Sequence, residues 1–166
     1  MTDTNFFEEL DKLSTGERTA LKRSVGTMLA EADGRAIAAF YRCLPYGVEW
    51  QEDCWFAAAC FHCLWEPGTY PRMKMEEALR GLVKNDDTGS KSIENRIAAL
   101  LDISWAEDGY LLTKLGRMIR MLKQKNYCID CDALLDDLRR WNNDYQTVQR
   151  KWVRTMYRKD EKKEGE

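Results

Sequence analysis

Apolar residues recur at three- and four-residue spacing through most of the chain, and no segment sustains the period-2 alternation of a half-buried strand. The pattern predicts helices over 5–13, 16–32, 35–43, 51–65 and 73–84, then over about 91–103, 108–125, 131–142 and 144–160. Punctuation fits these limits. Ser14 or Thr15 can cap the second helix, the third starts after Gly34 and stops before Pro45, and the fourth ends at Pro67-Gly68. The stretch KNDDTGS, 84–90, is polar and turn-prone. It divides an N-terminal helical subdomain, 1–85, from a C-terminal helical-bundle subdomain, 90–166. The expected fold class is all-α, two packed helical-bundle subdomains with about nine helices. The tail DEKKEGE carries no apolar residue and is expected to fray.

The segment 111–125 repays closer reading. At ~100° per residue, Leu111, Leu112, Leu115, Met118, Ile119 and Leu122 share an arc of roughly 120°, a core-facing stripe. Arg117 and Arg120 straddle the middle of the opposite face, with Lys114 and Lys123 at its margins. Solvated helix faces commonly mix signs, because acid–base pairs at i,i+4 add stability and like charges cost some. Here no acid lies between Asp108 and Asp130. An anion outside the chain would relieve the repulsion, and an arginine fork suits phosphate. The last helix repeats the pattern with Arg150, Lys151, Arg154, Arg158 and Lys159 beside Trp152 and Tyr157. Its Trp152, Val153 and Met156 read as core rather than as base-stacking residues, by helical spacing.

Composition sharpens this. The 166 residues are 44% hydrophobic and 33% charged, ordinary for a globular domain and too apolar for a disordered chain. No apolar run approaches the ~18 residues of a membrane span, and the acidic N-terminus MTDTNFFEEL does not read as a secretory signal, so a cytoplasmic protein is expected. The formal charge of −2 hides sorting. Residues 1–83 hold 9 Lys/Arg against 13 Asp/Glu, whereas 84–166 hold 17 against 15, with five cations and no acid in 149–159. Sorted charge makes a local field that the net value does not report.

Six segments then carry a resemblance, in order along the chain: LDKLSTGERTALKRSVG (10–26), AIAAFYRCLP (36–45), NRIAALLDIS (95–104), LLTKLGRMIRMLK (111–123), IDCDALLDDLRRW (129–141) and VQRKWVRTMY (148–157). Each is short and made of common helix formers; their order and spacing resemble the CasB family, the small subunit of the type I-E CRISPR Cascade complex. The resemblance implies a non-enzymatic, all-helical subunit of an antiviral ribonucleoprotein. Two copies would lie head to tail beside the other Cascade subunits. They would grip guide RNA, target DNA and the displaced strand, stabilising the R-loop. It implies nucleic-acid contacts at Lys22 and Arg23, at Arg96, and at Arg117 and Arg120. Two family positions depart here: one reads Asp102, and the turn after Trp141 reads Asn142-Asn143-Asp144. Those contacts are expected to be absent or moved to Arg150 and Arg154. With Lys114 and Lys123 from the helix wheel, these nine cations form the candidate nucleic-acid-binding set.

Other chemistry fits less well. CFHC (60–63) and CIDC (128–131) invite a zinc reading, but both lie in helical or helix-start segments separated by 64 residues, and Cys60 and Cys63 sit in an apolar stretch suited to packing. No metal or other cofactor is expected. His62, the only histidine, falls in the same apolar helix and reads as a core or interface residue. The carboxylate pairs Glu8-Glu9, Glu76-Glu77 and Asp136-Asp137 splay rather than converge on a helix, and no phosphate cradle or nucleophile motif is present. The cluster Asp130, Asp132, Asp136 and Asp137 suits a helix N-terminus or the docking of a basic neighbour. Trp50, Trp55, Phe56, Phe61 and Trp65 read as core. The alternative to nucleic-acid binding is a helical protein–protein adaptor.

Overall fold

The computed structural model of the chain describes residues 4–69, 71–86, 88, 91–106 and 108–159. Among these residues every regular element is helical, with no strand beyond one isolated parallel bridge between Met73 and Ile129. The helices are α1 (Thr4–Asp11), α2 (Thr15–Arg23), α3 (Gly34–Cys43), α4 (Glu52–His62), α5 (Met75–Lys84), α6 (Ser92–Leu101), α7 (Tyr110–Gln124), α8 (Cys131–Arg139) and α9 (Thr147–Met156). Ser14 caps α2 in a capping box with Glu17, and Asp33 and Asp130 cap α3 and α8 through their carboxylates.

The expected helix over 16–32 is interrupted. It stops at Arg23, turns through Gly26 at φ +89°, and resumes only as a 3-10 turn, Leu29–Glu31. The cause is tertiary. The turn seats against α7 where Gly116 leaves room: a Cβ there would lie 3.1 Å from Val25 Cγ1. Asp53 at the start of α4 then captures the Leu29 amide at 2.9 Å.

Helix α4 is the centre of the fold. Every residue from Cys54 to His62 is buried, which is why its sequence shows no polar face. It packs against α1, α2, α7 and α8, while α5 packs against α6, α7 and α9. One continuous apolar core therefore joins residues on both sides of the 84–90 stretch. Polar tethers cross the same gap: Met73 N donates to the Cys128 carbonyl and Asp130 N to the Met73 carbonyl, each at 2.8 Å, and Trp65 Nε1 donates to the Tyr127 carbonyl at 3.0 Å.

Trp55, Phe56, Phe61, Trp65, Trp152 and Met156 are core residues as expected. Trp50 and Val153 are not, being 58% and 39% exposed. Trp50 precedes α4 on a loop, where helical spacing does not apply. Of the acidic cluster, Asp130 caps α8, Asp136 lies 3.6 Å from Arg140, and Asp137 is buried. Asp137 accepts from Trp152 Nε1 at 2.9 Å and pairs with Lys151, locking α9 onto α8. That residue is therefore withdrawn from any docking surface.

Candidate nucleic-acid interface

Helix α7 presents two faces. Leu111, Leu112, Leu115, Met118, Ile119 and Leu122 are all buried, while Arg117 and Arg120 are exposed and Lys114 and Lys123 half-buried at the margins. The apolar stripe fixes the helix rotation, and rotation in turn aims the cations outward.

Among the described residues, none of Lys22, Arg23, Arg96, Lys114, Arg117, Arg120, Lys123, Arg150 and Arg154 has a carboxylate oxygen within ion-pair distance. Other cations on or next to the same elements are neutralised. Arg18 pairs with Glu66 at 3.1 Å and Arg158 with Glu77 at 3.2 Å, while Lys151 lies between Asp137 and Glu76. The last helix and the residues just after it thus sort their charges: Lys151 of α9 and Arg158 beyond its end hold the fold, and Arg150 and Arg154 of α9 are exposed.

The nine cations gather in groups. Arg96, Lys114 and Arg117 line a groove of about 430 Å³ between α6 and α7. Arg150 and Arg154 line another, about 520 Å³, between α6 and α9, with Asp102 on its wall. Lys22 of α2 joins Lys123 and Arg120 in a third group. Burial, then the charge of Lys22, and finally that of Arg120 push the Lys123 ammonium below its ordinary value against an opposing pull from Glu66. Arg23 stands apart. Its neighbour Lys22 turns toward α7, whereas Arg23 lines a groove with Arg35 at the start of α3. Adjacent helical residues diverge by ~100°, so the expected Lys22–Arg23 pair serves two different surfaces.

Two residues on these surfaces were missing from the sequence-based set. Arg35 stands beside Arg23. Tyr110 is half-exposed in the α6–α7 groove, with the Lys114 ammonium 5.4 Å from its ring centroid. Its signal was available: Tyr110, Lys114, Arg117 and Met121 stand at i, i+4, i+7 and i+11, one stripe of a helix.

The remaining chemical candidates are packed away. All six cysteines are buried and unbridged, and burial pushes the Cys54 and Cys63 thiols up to about 12. His62 Nε2 lies 2.8 Å from Asp11 Oδ1 beneath Phe7. The described residues contain no group of three or more ligating side chains placed for a metal ion, and no helix long and apolar enough to cross a membrane.

Comparison with known proteins agrees with this architecture. The family model described as CRISPR-associated protein Cse2 matches residues 17–157. Among solved structures, CasB from M. ruber is 26% identical with a TM-score of 0.73, covering 94% of this chain and 92% of that one. A CRISPR-associated protein of the Cse2 family from Thermus thermophilus is 25% identical with a TM-score of 0.75, covering 95% of this chain and 99% of that one. A chain of a CRISPR RNA-guided surveillance complex is 25% identical with a TM-score of 0.72, covering 94% of this chain and 91% of that one. Comparison with curated proteins gives no match.

Proposed function

Because the chain belongs to the Cse2 family of CRISPR-associated proteins, we propose that it is the non-catalytic small subunit of a type I-E Cascade surveillance complex. It lies against guide RNA and target DNA in the cytoplasm and holds the backbone of the displaced strand. Base pairing reads the sequence while protein cations hold the sugar-phosphate chain, the division of labour of guided effectors. Likeness to a chain of an RNA-guided surveillance complex supports the assembly context.

The observation that carries this reading is the sorting of cations. Lys151, Arg158 and Arg18 meet carboxylates of their own chain, whereas no carboxylate of the described residues lies within ion-pair distance of Arg96, Arg117, Arg120, Arg150 or Arg154. Holding like charges together without partners is unfavourable in the free protein and becomes favourable beside phosphates. A distributed grip fits a subunit that positions a strand rather than reading bases. Head-to-tail self-association of two copies and contact with the other Cascade subunits complete the arrangement.

The test is the double charge reversal Arg117→Glu/Arg120→Glu in the assembled complex. The expected result is normal assembly with weakened retention of target DNA. Wild-type retention by a normally assembled variant overturns the reading. Absence of any binding to single-stranded or heteroduplex probes in low salt favours the protein-only adaptor instead.

A further inference from the structure

The groove between α6 and α7 contains more than a phosphate grip requires. Its floor is apolar: Leu100 and Met118 are 2% and 4% exposed, and Ala99, Ile103 and Met121 complete it. Its cations, Arg96, Lys114 and Arg117, come with no acid among the described residues of the lining. Tyr110 is 50% exposed in the same groove. A volume of about 430 Å³ falls in the range of small-ligand sites, which are likewise apolar with a few placed polar groups. A phosphate track needs none of this, since charge alone holds a backbone. An apolar side chain from a neighbouring protein would fit the floor but would leave three cations without counter-charge.

We propose that this groove takes an unstacked nucleobase of a single strand, with Tyr110 as its aromatic platform and Arg96 and Arg117 on the flanking phosphates. The inference rests on the reading that this surface meets nucleic acid, and it adds the form of the ligand: single-stranded, with at least one base turned toward the protein. A paired base in a duplex keeps its faces stacked and cannot enter. A polyanion without bases fills only the rim. Aromatic platforms that stack bases tolerate any sequence, since every base has a π face.

The test compares the full chain with two oligonucleotides of equal phosphate number, oligo-dT and its abasic counterpart, by fluorescence anisotropy in low salt. Two variants leave every cation in place: Tyr110→Ala removes the platform, and Ala99→Phe, at an exposed position in the groove lining, fills the space. The expected result is that oligo-dT binds at least about 5-fold tighter than the abasic strand, the lower end for one stacked base. Both variants should erase that margin without changing abasic binding. Photocrosslinking of a 5-iodouracil strand should map to Tyr110 in the wild type.

Equal affinity for the two strands, unaltered by either variant, overturns the base pocket while the phosphate grip stands. No binding of either strand in low salt overturns both. An Ala99→Phe chain that keeps its preference for oligo-dT but fails to enter the assembled complex assigns the groove to a protein neighbour, and the proposal falls.

Discussion

Neutralising two side chains on α7 should change the salt dependence of binding by a calculable amount. Eight of the unpaired cations lie in the three groups built on α6, α7, α9 and Lys22. If each meets one phosphate of a single strand, log affinity falls against log salt with a slope of about 5.6, at ~0.7 per contact. Arg117→Gln/Arg120→Gln removes two contacts and lowers the slope to about 4.2. Between 0.1 and 0.3 M salt the wild type then loses about 470-fold in affinity and the variant about 100-fold. The glutamines keep length and polarity. Both arginines are exposed and pair with no carboxylate among the described residues, so the melting temperature should hold within a degree or two, as for surface changes generally. Anisotropy titrations at four or five salt concentrations give the slopes, and a thermal melt controls for folding. An unchanged slope in a normally folded variant would refute the assignment of these two side chains to phosphates, whatever the absolute affinity.

Other outcomes follow from particular contacts. Asp137→Ala strands the buried Trp152 indole N–H, a loss of about 1–3 kcal/mol, and at about 2–4 °C per kcal/mol for this chain length a thermal melt should fall by several degrees; Asp137→Asn, which keeps an acceptor, should fall less. The Lys123 ammonium is held below its ordinary value of 10.5, and a bound phosphate would raise it, so binding takes up a proton and affinity should decline as pH rises through the free-state value; Lys123→Arg should abolish that decline, and an unaltered pH profile would remove Lys123 from the interface. Burial pushes the Cys43 thiol up to about 11 and those of Cys54 and Cys63 to about 12, so a disulfide-exchange reagent at neutral pH should leave the native thiols untouched and titrate all six after denaturation. Rapid labelling of the native protein would contradict the buried positions.

Helix rotation was legible in the sequence, and interruptions were not. The wheel of α7 could be read residue by residue because one helix supplied both the buried stripe and its opposite face. The stop at Arg23 could not be, since Ser24-Val25-Gly26 breaks the helix only because α7 offers a glycine for the turn to lie on. Ion pairing divided along the same line. That Lys151 is occupied and Arg150 is not depends on which neighbour reaches Asp137, a partner 14 residues earlier in the chain. Trp50 stands on a loop, where helical spacing says nothing about burial, and Tyr110 shares its stripe with cations, so neither an apolar nor a charged pattern marks it alone.

The separation of occupied from vacant cations also bears on how the molecule meets other polyanions. With a formal charge of −2 and its unpaired cations gathered in a few groups, the protein presents a different field on different sides. A strand that approaches an acid-rich side gains nothing from those cations. A strand held at a fixed angle, as a scaffold of neighbouring subunits would hold it, would meet the cations directly, so weaker attraction elsewhere would act as a safeguard against adhesion to the wrong nucleic acid.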